Sequence, residues 1–186
     1  MRYLLISGIT NPDGLCSSVM EEVLKGATDG GAQAEMLTVE GVGMCKNCKD
    51  GWGSCKSEHC CAFAKDGFGS LHEAIKDADG LCIALPPDSG KTPGSVSGFL
   101  DRLRNCENGQ FGQLTNKPVL VLTFPVKTDN LLTGLEIMDR FCRQTGAIIF
   151  DFLSVQSWNS DYARASAYAA GKVMAFGRKV GVTAAR

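Results

Sequence analysis

Short apolar runs alternate along the chain with segments whose apolar residues recur every three or four positions. Continuous apolar runs predict strands that are buried on both faces, and the helical spacing predicts amphipathic helices. The predicted strands are 3–7, 34–39, 80–86, 117–124 and 147–155. The predicted helices include 19–27, 68–75, 93–106, 131–146 and 161–180. Because strand and helix alternate strictly, the pattern predicts an α/β fold with a parallel sheet and helices on both of its faces.

Five such units suit a flavodoxin-like three-layer sandwich, whose five-stranded parallel sheet has the order 2-1-3-4-5. The 186 residues contain no internal repeat, low-complexity tract or linker, and this length fits one core. We therefore expect a single flavodoxin-like domain over 1–186. Its one irregularity is a cysteine-rich insertion at about 40–66, which is longer than connections between elements usually are.

Composition and charge exclude several classes of partner. The net charge is −1 and 21% of the residues are charged, which gives no electrostatic case for binding nucleic acid or a membrane surface. The opening "MRYLLISGIT" is too short for a signal peptide and predicts a strand, and no apolar run approaches the ~20 residues that span a bilayer. We therefore expect a cytoplasmic, reducing location. There the nine cysteines favour a metal site or redox chemistry over disulfides.

Three loops should meet at the carboxyl edge of the predicted sheet, where such folds bind ligands: 8–16, 86–94 and 124–130. The first loop runs from a strand into a helix, so free N–H groups and the helix dipole favour a phosphate there. Side chains that add hydrogen-bond donors are Thr10, Asn11, Ser17 and Ser18. The alternative is a glycine-containing turn with a serine at the helix N-cap, which binds nothing.

Four segments carry a resemblance to a known family. They are "SGITNPDGLCSSVMEEVLKGA", "MCKNCKDGWGSC", "LPPDSGKTPGSVSGFLDRL" and "AYAAGKVMAFGRKV". In their order and spacing the chain resembles the NADPH-dependent FMN reductase family, and most closely its iron–sulfur flavoprotein branch. The resemblance implies an FMN-dependent oxidoreductase that passes electrons from NAD(P)H or a ferredoxin-like donor to an acceptor. It also implies an assembly of at least two subunits, a homodimer or homotetramer.

The resemblance places the FMN phosphate in the first loop and the flavin ring against the other two. The FMN-binding residues that it implies are Thr10, Asn11, Gly14, Cys16, Ser17, Ser18, Pro86, Pro87, Asp88, Ser89, Gly90, Thr123, Phe124 and Pro125. The chain departs from the family where it reads Gly8-Ile9-Thr10-Asn11 in place of the usual Gly-Ser-Pro-Arg, and Asp88 stands where an aromatic residue is common. No catalytic side chain is assigned, because a flavin performs the hydride and electron chemistry itself.

Five cysteines fall between 45 and 61. Cys45 and Cys48 form a C-x2-C pair, Cys55 and Cys60 follow, and Cys61 is adjacent to Cys60. Four thiolates on one loop suit a [4Fe–4S] cluster, and the family's spacing favours Cys60 over Cys61 as the fourth ligand. Zinc is the alternative metal, and His59 would then be able to replace Cys60. Labile disulfides and simple loop cysteines also remain open.

Two other functions remain open beside the leading one. The first is a metal-stabilised binding or scaffold domain that has lost flavin. The second is a plain NAD(P)H:quinone or FMN reductase whose thiols bind no metal.

The remaining chemistry-bearing residues have simpler interpretations. Cys82, Cys106 and Cys142 lie among apolar neighbours, which predicts buried thiols. Cys16 lies at a helix N-terminus, which predicts a lowered pKa and a reactive thiol. His72 is expected at the surface or its boundary. Asp101 and Arg102 are expected to pair locally or across a subunit contact.

Overall fold

The computed structural model describes residues 1–8, 14–48, 53–88, 94–108, 112–126 and 132–177. Its five strands are β1 (Arg2–Ser7), β2 (Gln33–Thr38), β3 (Gly80–Asp88), β4 (Pro118–Pro125) and β5 (Ile148–Ser154). They form one sheet in the order β2-β1-β3-β4-β5, and each neighbouring pair is parallel. The flavodoxin-like sheet predicted from the sequence is therefore confirmed, and the strand limits agree within about two residues. A single domain over 1–186 stays a prediction.

The helices are α1 (Leu15–Asp29), α2 (Ser54–Ser57), α3 (Phe68–Asp77), α4 (Gly94–Cys106), α5 (Thr133–Thr145) and α6 (Ser160–Gly177). Alternate side chains of the strands contact helices on opposite faces of the sheet, as the pleat requires. Tyr3 and Leu5 belong to the core that contains α1 and α6. Leu4 and Ile6 belong to the core that contains α3, α4 and α5. The described part of the chain is thus a three-layer sandwich with two cores.

The two edge strands differ from the sequence prediction. The central strands β1 and β4 are buried almost throughout, whereas β2 and β5 contain only exposed and half-buried residues. An edge strand lacks a neighbour on one side and the helix layers cover it only partly, so apolar residues such as Ile148 stay accessible. A register shift between Val119 and Leu120 also leaves β5 with one unpaired residue, Phe150.

The backbones of α1 and α6 touch. A Cβ atom built on Gly26 would lie 2.0 Å from the carbonyl oxygen of Tyr168, and one built on Gly171 would lie 2.3 Å from that of Val23. Both distances are far below van der Waals contact. Only glycine at these two positions allows this approach.

Local signals define the helix ends. Gly30 follows the last residue of α1, and Gly146 ends α5 in the left-handed region with φ of 75°. Glycine is the usual residue at a left-handed helix end, because it has no Cβ atom to clash there. None of the helices in the described ranges combines the length and apolar character needed to cross a membrane.

Candidate functional site

The carboxyl ends of β1, β3, β4 and β5 lie at one edge of the sheet, where the predicted ligand loops begin. The side chains of Thr123 and Ser154 are neighbours in register across β4 and β5 at this edge. Both hydroxyl groups are buried, and neither has a hydrogen-bond partner within the described part of the chain. A buried unpaired hydroxyl is costly, so each is a candidate for contact with a ligand. The sequence analysis named Thr123 and missed Ser154.

The first turn of α1 is the place where the sequence predicts a phosphate site. Gly14 is the N-cap in an extended conformation, and no side chain caps this end. Because the first turn of a helix is a common anion site, this turn stays a candidate for the phosphate. The Ser18 hydroxyl donates to Leu15 O at 2.9 Å, and Arg164 Nε donates to the Ser18 hydroxyl at 3.3 Å. The Ser18 hydroxyl is thus engaged in protein contacts, and Arg164 brings a positive charge to this turn.

Cys16 is not the reactive thiol that its position predicts. Its side chain packs in the core between α1 and the sheet. Burial, opposed only by a weaker hydrogen bond to its own backbone, raises the pKa of Cys16 to about 11. The helix N-terminus therefore does not make this cysteine nucleophilic, because loss of water outweighs the dipole. A flavin contact by Cys16 would have to come from its backbone.

The remaining predicted FMN residues divide into described and undescribed ones. Phe124 packs in the core beneath the edge, and Pro125 O accepts a hydrogen bond from Gln156 Nε2 at 3.3 Å. The backbone of Pro86, Pro87 and Asp88 completes β3, with a register shift against β4 after Leu85. Their side chains lie outside the described part of the chain, as do Thr10, Asn11, Ser89 and Gly90 in full. All of these assignments stay predictions.

A second candidate site is a cavity of about 710 Å³ between the cysteine-rich insertion and α4. The cysteines that line it are Cys45, Cys48, Cys55, Cys61 and Cys106. The first four are half-buried and belong to the insertion, whereas Cys106 is buried at the end of α4. The structure thus brings four of the five insertion thiols to one space.

Cys60, which the spacing favours as the fourth ligand, is not among the described residues that line this cavity. Its sulfur lies 3.7 Å from Glu58 Oε2. Burial and then the negative charge of Glu58 raise the pKa of Cys60. Cys61 lines the cavity, whereas Cys60 lies beside Glu58. Which of the two would bind a metal stays a prediction.

Arg102, on α4, contacts several residues of the cysteine-rich insertion. Its side chain is only 3% exposed, and Nη1 lies 2.6 Å from Asp66 Oδ2. Nη2 donates to Phe63 O and lies 3.5 Å from Cys61 Sγ. The expected pairing of Arg102 with Asp101 is wrong, because Asp101 pairs with Arg104 at 3.3 Å. The Arg102 guanidinium holds the pKa of Asp66 down at about 2.

His72 is also buried, contrary to its predicted surface position. Its Nε2 lies 2.5 Å from Glu107 Oε1, and both side chains are at most 3% exposed. Burial opposes the charged form of Glu107, but the hydrogen bonds from His72 and the Gln113 amide, together with the nearby positive charge, outweigh it, so the pKa of Glu107 lies below its usual value. His72 then donates the hydrogen bond. The remaining predicted buried cysteines, Cys82, Cys106 and Cys142, are confirmed.

The cavity thiols are not arranged around a metal position. Within the described residues, no group of three or more His, Cys, Asp or Glu side chains is close enough to hold a metal ion. All nine cysteines are free thiols, so none of them forms a disulfide in this structure. The donor set nevertheless suits a thiophilic centre, because four thiols share one cavity and two of them receive N–H groups from α4.

The profile of the NADPH-dependent FMN reductase family matches residues 1–132 of this chain. The chain belongs to the NADPH-dependent FMN reductase family. The match contains most of the sheet and the loops at its carboxyl edge. It also contains the whole cysteine-rich insertion. The family membership expected from the sequence is confirmed.

Individual relatives of the family are more distant. An iron–sulfur flavoprotein of Methanosarcina thermophila is 26% identical over 104 residues, which cover 55% of this chain and 52% of the relative. The chain thus matches about half the length of that protein. A flavone reductase structure has a TM-score of 0.71 at 18% identity over 100% of this chain and 65% of its own. The NAD(P)H:quinone oxidoreductase of Methanothermobacter marburgensis has a TM-score of 0.65 at 16% identity over 92% and 96%. These structures share the fold.

Proposed function

We propose that the protein is an FMN-dependent oxidoreductase that passes electrons from NAD(P)H to a quinone or flavin acceptor. The observation that carries the proposal is the family match over residues 1–132, which includes all three loops of the carboxyl edge. The named activities of the structural neighbours, NAD(P)H:quinone and NADH:FMN oxidoreductases, agree with it. When bound, FMN supplies hydride acceptance and electron transfer.

The residues of the edge bind and orient the cofactor. Amides in the first turn of α1, with Ser17, would hold the phosphate, and Arg164 would add positive charge nearby. The unpaired hydroxyl of Thr123 fits a polar group of the ligand. The loop after β3 would lie against the ring through its backbone. No proton transfer by a side chain is assigned.

Flavin content and reductase activity of the purified chain test this proposal. We expect a yellow protein that quenches FMN fluorescence saturably and oxidises NADPH when a benzoquinone or free FMN is the acceptor. Ser17→Ala should weaken FMN binding, whereas Thr145→Val, on α5 and far from the edge, should not. A colourless protein with no FMN binding would contradict the proposal and favour the scaffold domain that has lost flavin.

A thiol-bound metal centre, a [4Fe–4S] cluster or zinc, is the second element of the proposal. The shared cavity of four insertion cysteines supports it, as does the name of the Methanosarcina relative. Since no three donors converge in the described structure, metal binding would draw the sulfurs together. Anaerobic reconstitution, followed by iron, sulfide and zinc analysis, tests it. A protein that binds no metal and keeps full reductase activity would contradict the metal centre. It would favour a plain reductase whose thiols bind no metal.

A homodimer or homotetramer completes the proposal. Trp158 and Tyr162 are 79% and 75% exposed, and burial of such aromatic side chains is typical of an interface. Light scattering of the purified chain tests it. A monomer at all concentrations would contradict it.

A further inference from the structure

The exposed residues of α6 differ in kind from those of the other long helices. The residues that α1 exposes are Glu21, Lys25, Thr28 and Asp29, and those that α3 and α5 expose are likewise polar or charged. On α6 every exposed residue between 162 and 176 is apolar or aromatic. They are Tyr162, Ala165, Ala169, Val173 and Phe176, and we call them the outer stripe. Such a surface is unusual for a helix that faces water.

The outer stripe runs along one side of α6. Because an α-helix has 3.6 residues per turn, its five residues fall within about 80° of the helix circumference. The side of α6 that packs on α1 and the sheet is apolar as well, and it includes Ala163, Ala167 and Met174. Tyr162 is 75% exposed and Val173 is 54% exposed. A helix that is apolar on both sides is normally covered on both, so the outer stripe fits a protein contact.

The outer stripe is symmetric about Ala169. The aromatic residues Tyr162 and Phe176 each lie seven positions from it, and Ala165 and Val173 each lie four positions from it. A second α6, antiparallel and related by a two-fold axis at Ala169, would place Tyr162 against Phe176 of the partner subunit. Ala165 would then face Val173 of the partner subunit. A surface that matches itself under a two-fold rotation is what a symmetric dimer requires.

The chemistry of the outer stripe also favours a second copy of the chain. It contains no charged residue, and interface cores are poor in charge and rich in aromatic side chains. The small residues Ala165 and Ala169 at its middle allow two helix axes to approach closely. Antiparallel helices also bring opposite ends of their dipoles together. Trp158, which is 79% exposed, lies about one turn before Tyr162 and continues the same surface.

We propose that the outer stripe of α6 is the contact between two copies of this chain, which pack antiparallel about a two-fold axis at Ala169. This inference rests on the homodimer or homotetramer proposed above, and it names the surface and the orientation. Because α6 begins after the carboxyl end of β5, the antiparallel arrangement directs the two carboxyl edges toward opposite ends of the pair. Each chain then keeps its own candidate flavin edge, and the contact is independent of flavin binding.

A single added charge at the axis tests the surface. Ala169→Glu places two carboxylates against each other, so the mass measured by light scattering should fall to half that of the wild-type protein at the same concentration. Gln144→Glu adds the same charge at an exposed position of α5 and should keep the wild-type mass. If Ala169→Glu keeps the wild-type mass, the inference fails while the homodimer or homotetramer stands. A monomeric wild-type protein overturns both, and neither result depends on flavin content.

Disulfide cross-linking tests the orientation and decides the matter if Ala169→Glu does not fold. Copper phenanthroline and oxygen oxidise two facing thiols to a disulfide, and the wild-type chain gives the background from its own cysteines. A mixture of Ala165→Cys and Val173→Cys chains should form covalent dimers several-fold above that background. Each variant alone should not, because its two sites lie eight residues, or about 12 Å, apart along the helix pair. Cross-linking of Val173→Cys alone, or none in the mixture, overturns the antiparallel contact.

Discussion

Thr123 and Ser154 lie side by side on the neighbouring strands β4 and β5, and both of their hydroxyl groups are buried without a partner in the described part of the chain. Two unpaired hydroxyls at one point of a sheet lower the stability of the ligand-free protein. They lie at the carboxyl edge of the sheet, where we propose that the flavin binds. A bound ligand that accepts or donates one hydrogen bond there removes this cost.

Thr123→Val tests the ligand role because it removes the hydroxyl and keeps the shape. We expect the ligand-free variant to gain about 1 kcal/mol in free energy of unfolding, since a buried unsatisfied group is lost. The same variant should bind FMN about fivefold more weakly, because one hydrogen bond is missing. Denaturant unfolding and fluorescence titration measure the two effects. Thr145→Val is the control, whose satisfied hydroxyl donates to Phe141 O, and it should lose stability without losing affinity.

The nine cysteines should divide by their reactivity at pH 8. Burial raises the pKa of Cys106 and Cys142 to about 12 and that of Cys16 to about 11, and it raises the pKa of Cys82 further. In native, reduced, metal-free protein, iodoacetamide should therefore label the five insertion cysteines at most. All nine should react in denaturant. Peptide mass spectrometry reads the pattern, and labelling of Cys16 as fast as Cys61 would contradict it.

The Arg102–Asp66 pair should make stability depend on acid pH. The folded-state pKa of Asp66 is about 2 against an ordinary 3.8, so its contribution is full above pH 4 and is lost as the pH falls toward 2. Because the carboxylate is partly exposed, we expect a loss of roughly 1–2 kcal/mol over this window. Asp66→Asn should remove that part of the pH dependence.

Urea unfolding at pH 4, 3 and 2 measures this effect. Asp139→Asn is the matched control, because the Asp139–Arg143 pair lies at the surface and is screened by solvent. Parallel acid profiles for Asp66→Asn and the wild-type protein would show that the pair contributes nothing.

The buried His72–Glu107 pair should be essential for stability. Glu107→Ala leaves His72 and the amide of Gln113 without their acceptor, which should cost about 3–5 kcal/mol. Glu107→Gln keeps an amide oxygen in place and should cost about half as much. Glu35→Gln, at the exposed pair with Arg2, should change the free energy of unfolding by about 0.5 kcal/mol or less. Thermal or chemical unfolding measures the loss in free energy of unfolding for the three variants. Equal losses for both Glu107 variants would contradict a charge-assisted pair.

The sequence predicts the fold well because the central strands are apolar and bounded by turns. Leu4, Leu5 and Ile6 are fully buried, and so are their counterparts on β3 and β4. The continuous apolar runs of these strands are therefore easy to recognise in the sequence. The continuous apolar runs overestimate the burial of the edge strands β2 and β5, because composition alone does not tell which strand lacks a neighbour. Order in the sheet follows from the fold class and not from the residues of β2 or β5.

The misread residues share a physical cause. His72 and Arg102 are polar residues on amphipathic helices, and their burial depends on Glu107 and Asp66, which are 35 and 36 residues away in the chain. Cys16 was misread because the helix dipole is visible in the sequence and burial is not. Spacing favours Cys60 over Cys61, and only the folded structure shows that Cys61 lines the cavity and Cys60 does not.

The close contact of α1 with α6 links the start of the chain to its end. α6 also covers Tyr3, whose hydroxyl donates to Met174 O at 2.7 Å. During synthesis, β1 and α1 leave the ribosome long before α6, and until then one face of the sheet is open to water. The first turn of α1, where we propose that the flavin phosphate binds, is supported by this late packing. Cofactor binding would therefore be coupled to the synthesis of α6, and a nascent chain or a variant without α6 exposes apolar surface that chaperones recognise.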